Sequence, residues 1–138
     1  MVKAFKVKRI LVVDDQAGAR KIISALMAAH GQVDLAENGQ DALALYNEAL
    51  QDGWAYDLVC LDVEMPGMLD GMKVVKCIRI HEDTLDIKDR VPIVIISAHQ
   101  RPEDICAAKS LCGANEYIMK PFNRSRVNEA IQRYLYPQ

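Results

Sequence analysis

Five times along this chain a short apolar run rich in β-branched residues alternates with a stretch of helical periodicity, and this limits the fold more than any other feature. The runs lie at residues 10–13, 33–36, 58–61, 91–96 and 117–119. The first, third and fourth are almost wholly apolar, the pattern of parallel strands covered on both faces. The runs at 33–36 and 117–119 are shorter and more mixed, which predicts positions near a sheet edge. Ile22, Ile23, Leu26 and Met27 recur at helical spacing, as do Leu43, Tyr46 and Leu50. Met72, Val75 and Ile78 give a third stripe, and Ile105, Ala108 and Cys112 a weaker fourth. Val127, Ile131, Tyr134 and Leu135 give the last, with Asn123 placed to cap its start. Alternation of this kind predicts an α/β domain around a mostly parallel sheet.

A chain of 138 residues fits one domain with a sizeable core. The expected boundaries are a basic leader over 1–8, carrying Lys3, Lys6 and Lys8, and a single domain over 9–136. Polar residues 81–90 read as the one long connection, and Pro137 as a stop after the last helix. The net charge of −2 argues against direct binding of nucleic acid, which favours a basic surplus. The longest apolar stretch is far below the roughly 20 residues of a membrane helix. The run at 10–13 is too short for a signal-peptide core, so neither export nor membrane insertion is expected, and the protein reads as cytoplasmic. Cys60, Cys77, Cys106 and Cys112 form no C-x-x-C pair and read as reduced core or boundary residues.

The chemistry lies at the ends of the predicted strands. Asp14 and Asp15 follow the first, Asp62 ends the third, Ser97 ends the fourth and Lys120 ends the fifth. In a parallel sheet these C-terminal ends share one edge, where such folds place their ligands. Three carboxylates gathered there repel, since a like-charge pair 4 Å apart costs about 4 kcal/mol at an effective dielectric near 20. Either a cation enters or one carboxylate raises its pKa. Hard oxygen ligands beside a phosphate suit magnesium. Asp62 then has the chemistry of a nucleophile toward phosphorus, Lys120 would neutralise charge on the phosphoryl oxygens, and Ser97 would donate a hydrogen bond to one of them. Each residue alone has a plainer reading, as a helix cap, a surface lysine or a strand-end serine. Their occurrence in this order at successive strand ends carries the joint reading.

The segments ILVVDD at 10–15, ENGQDAL at 37–43, DLVCLDVEMPG at 57–67, IVIISA at 93–98 and GANEYIMKPF at 113–122 resemble the receiver domain of two-component response regulators, over residues 9 to about 135. The resemblance implies a flavodoxin-like, doubly wound sheet of five parallel strands in the order 2-1-3-4-5, with five helices. It implies that Asp62 is phosphorylated, by a sensor histidine kinase or a histidine phosphotransfer protein. It further implies that Asp15 and Asp62 ligate Mg2+ together with the backbone carbonyl of Glu64, while Asp14 acts mostly through water. Ser97 and Lys120 would contact the phosphoryl group, and Tyr117 would be the aromatic switch coupled to Ser97. The Lys120–Pro121 bond is commonly cis in the family. Glu64 and His99 would flank the phosphoryl group and tune its lifetime, His99 having also the plain reading of an exposed loop residue.

Two departures stand out. Residues 65–71 read MPGMLDG, with Leu69 inserted relative to the usual pattern, and the 81–90 connection is long. Both alter the surface near the third helix. A phosphohydrolase of the haloacid-dehalogenase type uses a similar kit, but with the nucleophile after the first strand and the acidic pair last, the reverse of the order here. A flavodoxin-like cofactor binder would need a phosphate-cradling loop where Asp14 and Asp15 stand, and a silent pseudo-receiver would not need the full acidic set. The expected partners are a phosphodonor protein and a downstream effector, with a homodimer possible. On length alone a stand-alone regulator is expected.

Overall fold

The computed structural model describes residues 7–65, 70–98 and 113–137. In chain order these form β1 (Lys8–Val13), α1 (Ala17–Ala28), β2 (Gly31–Ala36), α2 (Gly39–Gln51), β3 (Leu58–Leu61), α3 (Gly71–Thr84), β4 (Ile93–Ser97), β5 (Glu116–Met119) and α4 (Arg124–Leu135). The stripe expected at Ile105, Ala108 and Cys112, the inserted Leu69 and His99 lie outside the described residues. β1 begins at Lys8, one residue inside the expected leader.

All strand pairs are parallel and the order is β2-β1-β3-β4-β5. The two mixed runs therefore occupy the edges, as their composition predicts. Alternation along each strand sends side chains to two separate cores. Leu11, Val13, Val59, Leu61, Ile93 and Ile95 pack with Ala42, Tyr46 and Ala49 of α2 and with Val74, Val75 and Ile78 of α3. On the other face Ile10, Val12, Leu58, Cys60, Val94 and Ile96 pack with Ile23 and Met27 of α1 and Val127, Ala130, Ile131 and Leu135 of α4. Each fully buried aliphatic side chain contributes roughly 1.5–3 kcal/mol, so a central strand such as β3, buried at all four positions, holds its place in the sheet strongly. Burial in this core pushes the Cys60 thiol up to about 12, so it stays protonated and inert.

Helix starts follow local chemistry. Asn38, Asp70 and Asn123 each accept a hydrogen bond from the backbone N–H three residues on, at 2.8, 3.0 and 2.7 Å. Asn123 is thus the cap expected of it. The connection read at 81–90 is shorter than expected, because α3 continues to Thr84. Its last turn is held by buried Glu82, which accepts from Arg79 Nη1 at 2.7 Å and from the Val91 backbone N–H at 2.7 Å. Among the described residues no helix is long and apolar enough to cross a membrane.

Candidate functional site

The sheet register fixes the site before any side chain is considered. Val13 of β1 lies opposite Leu61 of β3. The ladder then runs one residue past both strands: the Asp62 N–H donates to the Val13 carbonyl at 3.0 Å, and the Asp14 N–H to that of Ala36 at 3.1 Å. Asp14 and Asp62 therefore leave the sheet as neighbours on its C-terminal edge. On the far side the Lys120 N–H donates to the Ser97 carbonyl at 2.8 Å, tying the end of β5 to the end of β4.

The side chains converge on this edge. Lys120 Nζ donates to Asp14 Oδ2 at 2.8 Å and to Asp62 Oδ2 at 3.0 Å. Both acids are buried, at 1% and 5% exposure, whereas Asp15 is exposed. The remaining oxygen of each buried acid is held by backbone: Asp14 Oδ1 accepts from the Gln16 N–H and Asp62 Oδ1 from the Glu64 N–H, both at 2.9 Å. Burial disfavours the Lys120 ammonium, but its hydrogen bonds to Asp14 and Asp62 and their charges outweigh this, and its pKa is raised. The lysine is thus a fixed cation rather than a proton donor.

One ammonium does not balance three carboxylates. Asp14, Asp15 and Asp62 present ligand atoms that lie within 4.8 Å of one another, and among the described residues they are the one such group of His, Cys, Asp or Glu. Hard oxygens at this spacing, buried on one side and open at Asp15, fit a divalent cation that keeps part of its water shell.

The other expected site residues lie at or near this edge. Glu64 is exposed two residues beyond Asp62. Ser97 is fully buried at the end of β4, and Tyr117 on β5 is buried at 8% exposure in the core shared with Val59 and Ile95. The ring therefore lies inside the domain in this structure. The Lys120–Pro121 bond is cis.

Two further residues shape the site without being visible in the sequence pattern. Arg20 of α1 donates through Nη1 to the Asp14 carbonyl at 2.8 Å. An arginine on a helix carries no spacing signature that would mark this. Gly71, at the start of α3, lies so close to the loop after β3 that a Cβ there would stand 2.2 Å from the Asp62 carbonyl oxygen and 2.5 Å from Val63 Cα. The "DG" at 70–71 could have suggested this, as a helix cap followed by a close backbone approach.

A family model for the response regulator receiver domain matches residues 10–132. This chain belongs to that family. The receiver is 35% identical over 133 residues to the regulatory protein AtoC of Escherichia coli (strain K12), covering 96% of this chain and 26% of AtoC. It is 31% identical over 129 residues to sporulation initiation phosphotransferase F of Bacillus subtilis (strain 168), covering 93% and 94%. The fold also matches the receiver domain of Ssk1 in its co-crystal with the Saccharomyces cerevisiae histidine phosphotransfer protein Ypd1, with a TM-score of 0.80, 26% identity and 96% and 91% coverage. The receiver spans about a quarter of AtoC and nearly all of the Bacillus protein. The family places it in two-component and phosphorelay signalling.

Proposed function

We propose that this receiver is a magnesium-dependent phosphoryl acceptor in which Asp62 takes the group from a phosphohistidine donor and thereby switches a protein-binding surface. The observation that carries the reading is the pairing of Lys120 Nζ with both Asp14 and Asp62 beside a third carboxylate, Asp15. Asp62 Oδ2 would attack phosphorus as the P–N bond to the donor imidazole breaks, its electron pair leaving with the ring, which departs as neutral imidazole bearing the proton already on its other nitrogen. Lys120, which bonds both acids, would follow the charge onto the phosphoryl oxygens. The Glu64 N–H keeps Asp62 Oδ1 in place, so that the other oxygen is the one presented.

Asp15 and Asp62 would hold the cation with the Glu64 carbonyl, and Asp14 would act mostly through water. When bound, Mg2+ neutralises phosphoryl charge and relieves the repulsion among the acids. Ser97 would donate to a phosphoryl oxygen, and Tyr117 would couple its hydroxyl's position to the surface beyond β5. The receiver would catalyse only its own phosphorylation and dephosphorylation. The Ypd1–Ssk1 complex supports a histidine phosphotransfer protein or sensor kinase as partner. A downstream effector protein would read the state in the cytoplasm, with a homodimer as one form of the active protein and no direct contact to nucleic acid.

The test is intact mass after incubation with a small acyl phosphate and Mg2+. One phosphoryl group should be gained, and neither Asp62→Asn nor the wild type with EDTA should gain it. A modification that persists in Asp62→Asn would overturn the assignment.

A further inference from the structure

We propose that Arg20 is a positioning residue of the acidic site, holding the β1–α1 turn in the geometry that lets Asp14 and Asp15 share a cation with Asp62. This rests on the reading of the three acids as a magnesium site. The argument begins with Asp14, each of whose polar atoms has a partner. Its N–H donates to Ala36, its Oδ1 accepts from the Gln16 N–H, its Oδ2 accepts from Lys120, and its carbonyl accepts from Arg20. The first and third bonds tie Asp14 to the sheet. The second is local to the turn. The Arg20 guanidinium bond ties Asp14 itself to the body of α1, one helical turn further on, beside the helical bond from the Arg20 N–H to the Gln16 carbonyl at 3.0 Å.

That bond is well placed to matter. The Arg20 side chain is only 15% exposed, and its 2.8 Å bond ends on the carbonyl of a residue buried at 1%. A hydrogen bond from a charged donor in such a setting is stronger than a neutral one on the surface. Its other contact, Nη2 to Glu37 Oε1 at 3.5 Å, is long and reaches a side chain 72% exposed, so it contributes little. The N-cap of α1, Gln16, makes no side-chain capping bond. Without a side-chain cap the turn is held by Asp14 Oδ1, by the Arg20 guanidinium and by the helical bond to the Gln16 carbonyl, and of these the guanidinium is the one side chain that reaches back to it from α1. Asp15 is the residue exposed by this turn, and its carboxylate stands where the backbone places it.

Charge and position predict opposite signs. As a mere positive charge beside the acids, Arg20 opposes entry of a divalent cation, and its removal would tighten Mg2+ binding. As a clamp on the turn, it preorganises the ligands, and its removal weakens binding. As a purely structural anchor, it lowers the melting temperature and leaves the affinity of the folded protein alone.

The experiment measures the Mg2+ dissociation constant by calorimetry, and the melting temperature, for the wild type and for Arg20→Met, Arg20→Gln, Arg20→Lys and Glu37→Gln. Binding should weaken about tenfold in the Met and Gln variants. Arg20→Lys, which keeps a charged donor, should recover at least half of that loss on a logarithmic scale, and Glu37→Gln should match the wild type. If Arg20→Met does not fold, Arg20→Gln carries the measurement. Binding that tightens, or that stays within threefold of wild type, overturns the proposal. A wild type that binds no Mg2+ overturns instead the magnesium reading on which it stands.

Discussion

At the scale of single residues the site is a contest between three carboxylates and one ammonium. Lys120 is committed to the two buried acids, and the exposed Asp15 adds repulsion that this one ammonium does not balance. Asp15→Ala should therefore stabilise the metal-free protein, by about 1 kcal/mol given the screening at an exposed position. That corresponds to a rise of roughly 4 °C in melting temperature in EDTA. In saturating Mg2+ the order should reverse, because wild type gains binding energy that the variant lacks. A fall in EDTA would count against a repulsive pocket. The residues of this cluster were legible because each is a polar type at the end of an apolar run, and the parallel sheet brings those ends together. Arg20 was not, since its role depends on a carbonyl six residues away that only the folded turn presents.

At the scale of elements, the edge of the sheet opposite the acids is held by a buried polar knot. Arg79 of α3 donates to the Gly113 and Val91 carbonyls at 3.0 and 2.8 Å, to Asn115 Oδ1 at 2.9 Å and to Glu82 Oε1 at 2.7 Å. Asn115 Oδ1 also takes the Ile93 N–H at 2.8 Å, so one cluster locks α3 to the starts of β4 and β5. Glu82→Ala would leave the Arg79 charge and the Val91 N–H short of a partner in a site where Glu82 is 1% exposed. Removing one member of a buried pair costs about 3–5 kcal/mol, which urea unfolding would read directly. Phosphoryl gain at Asp62 in the folded fraction should be unchanged, because the knot and the acids sit at opposite ends of the strands. A cost below about 1 kcal/mol would mean the cluster is solvated in solution. This is also where sequence reading fell short. A run of His, Glu, Asp and Thr looks like a solvated connection, and periodicity cannot reveal that its glutamate is buried against an arginine. The apolar strands and the cap at Asn123 had no such ambiguity, because burial and capping there follow from residue type.

At the scale of the molecule, the two ends of the sheet make a built-in comparison for the proposed switch. Phosphorylation would add roughly two negative charges at the Asp62 edge, drawing on Lys120 and Ser97. Ser97 is fully buried and hydrogen-bonded through its carbonyl to the Lys120 backbone, so movement there passes directly to β5. Tyr117 lies on β5 opposite Ile95 of β4, inside the core that also holds Val59, and a change in the packing of its ring is the relay the proposed switch requires. Trp54 sits before β3 at the other end, where its Nε1 donates to the Val7 carbonyl at 3.2 Å and the Arg9 guanidinium lies 4.8 Å from its ring. It is the only tryptophan of the chain. A shift that travels along β4 and β5 should leave it untouched, and a global rearrangement should not. Beryllofluoride with Mg2+, standing in for the phosphoryl group, should therefore move the NMR signals of Ser97, Tyr117 and residues 102–112 while the Trp54 indole signal and its fluorescence stay constant. The coupling need be only about 1–3 kcal/mol to bias an effector surface. Signals at Tyr117 that do not move in a saturated sample would exclude β5 as the route, and a change at Trp54 of equal size would show that the whole domain responds rather than one face of it.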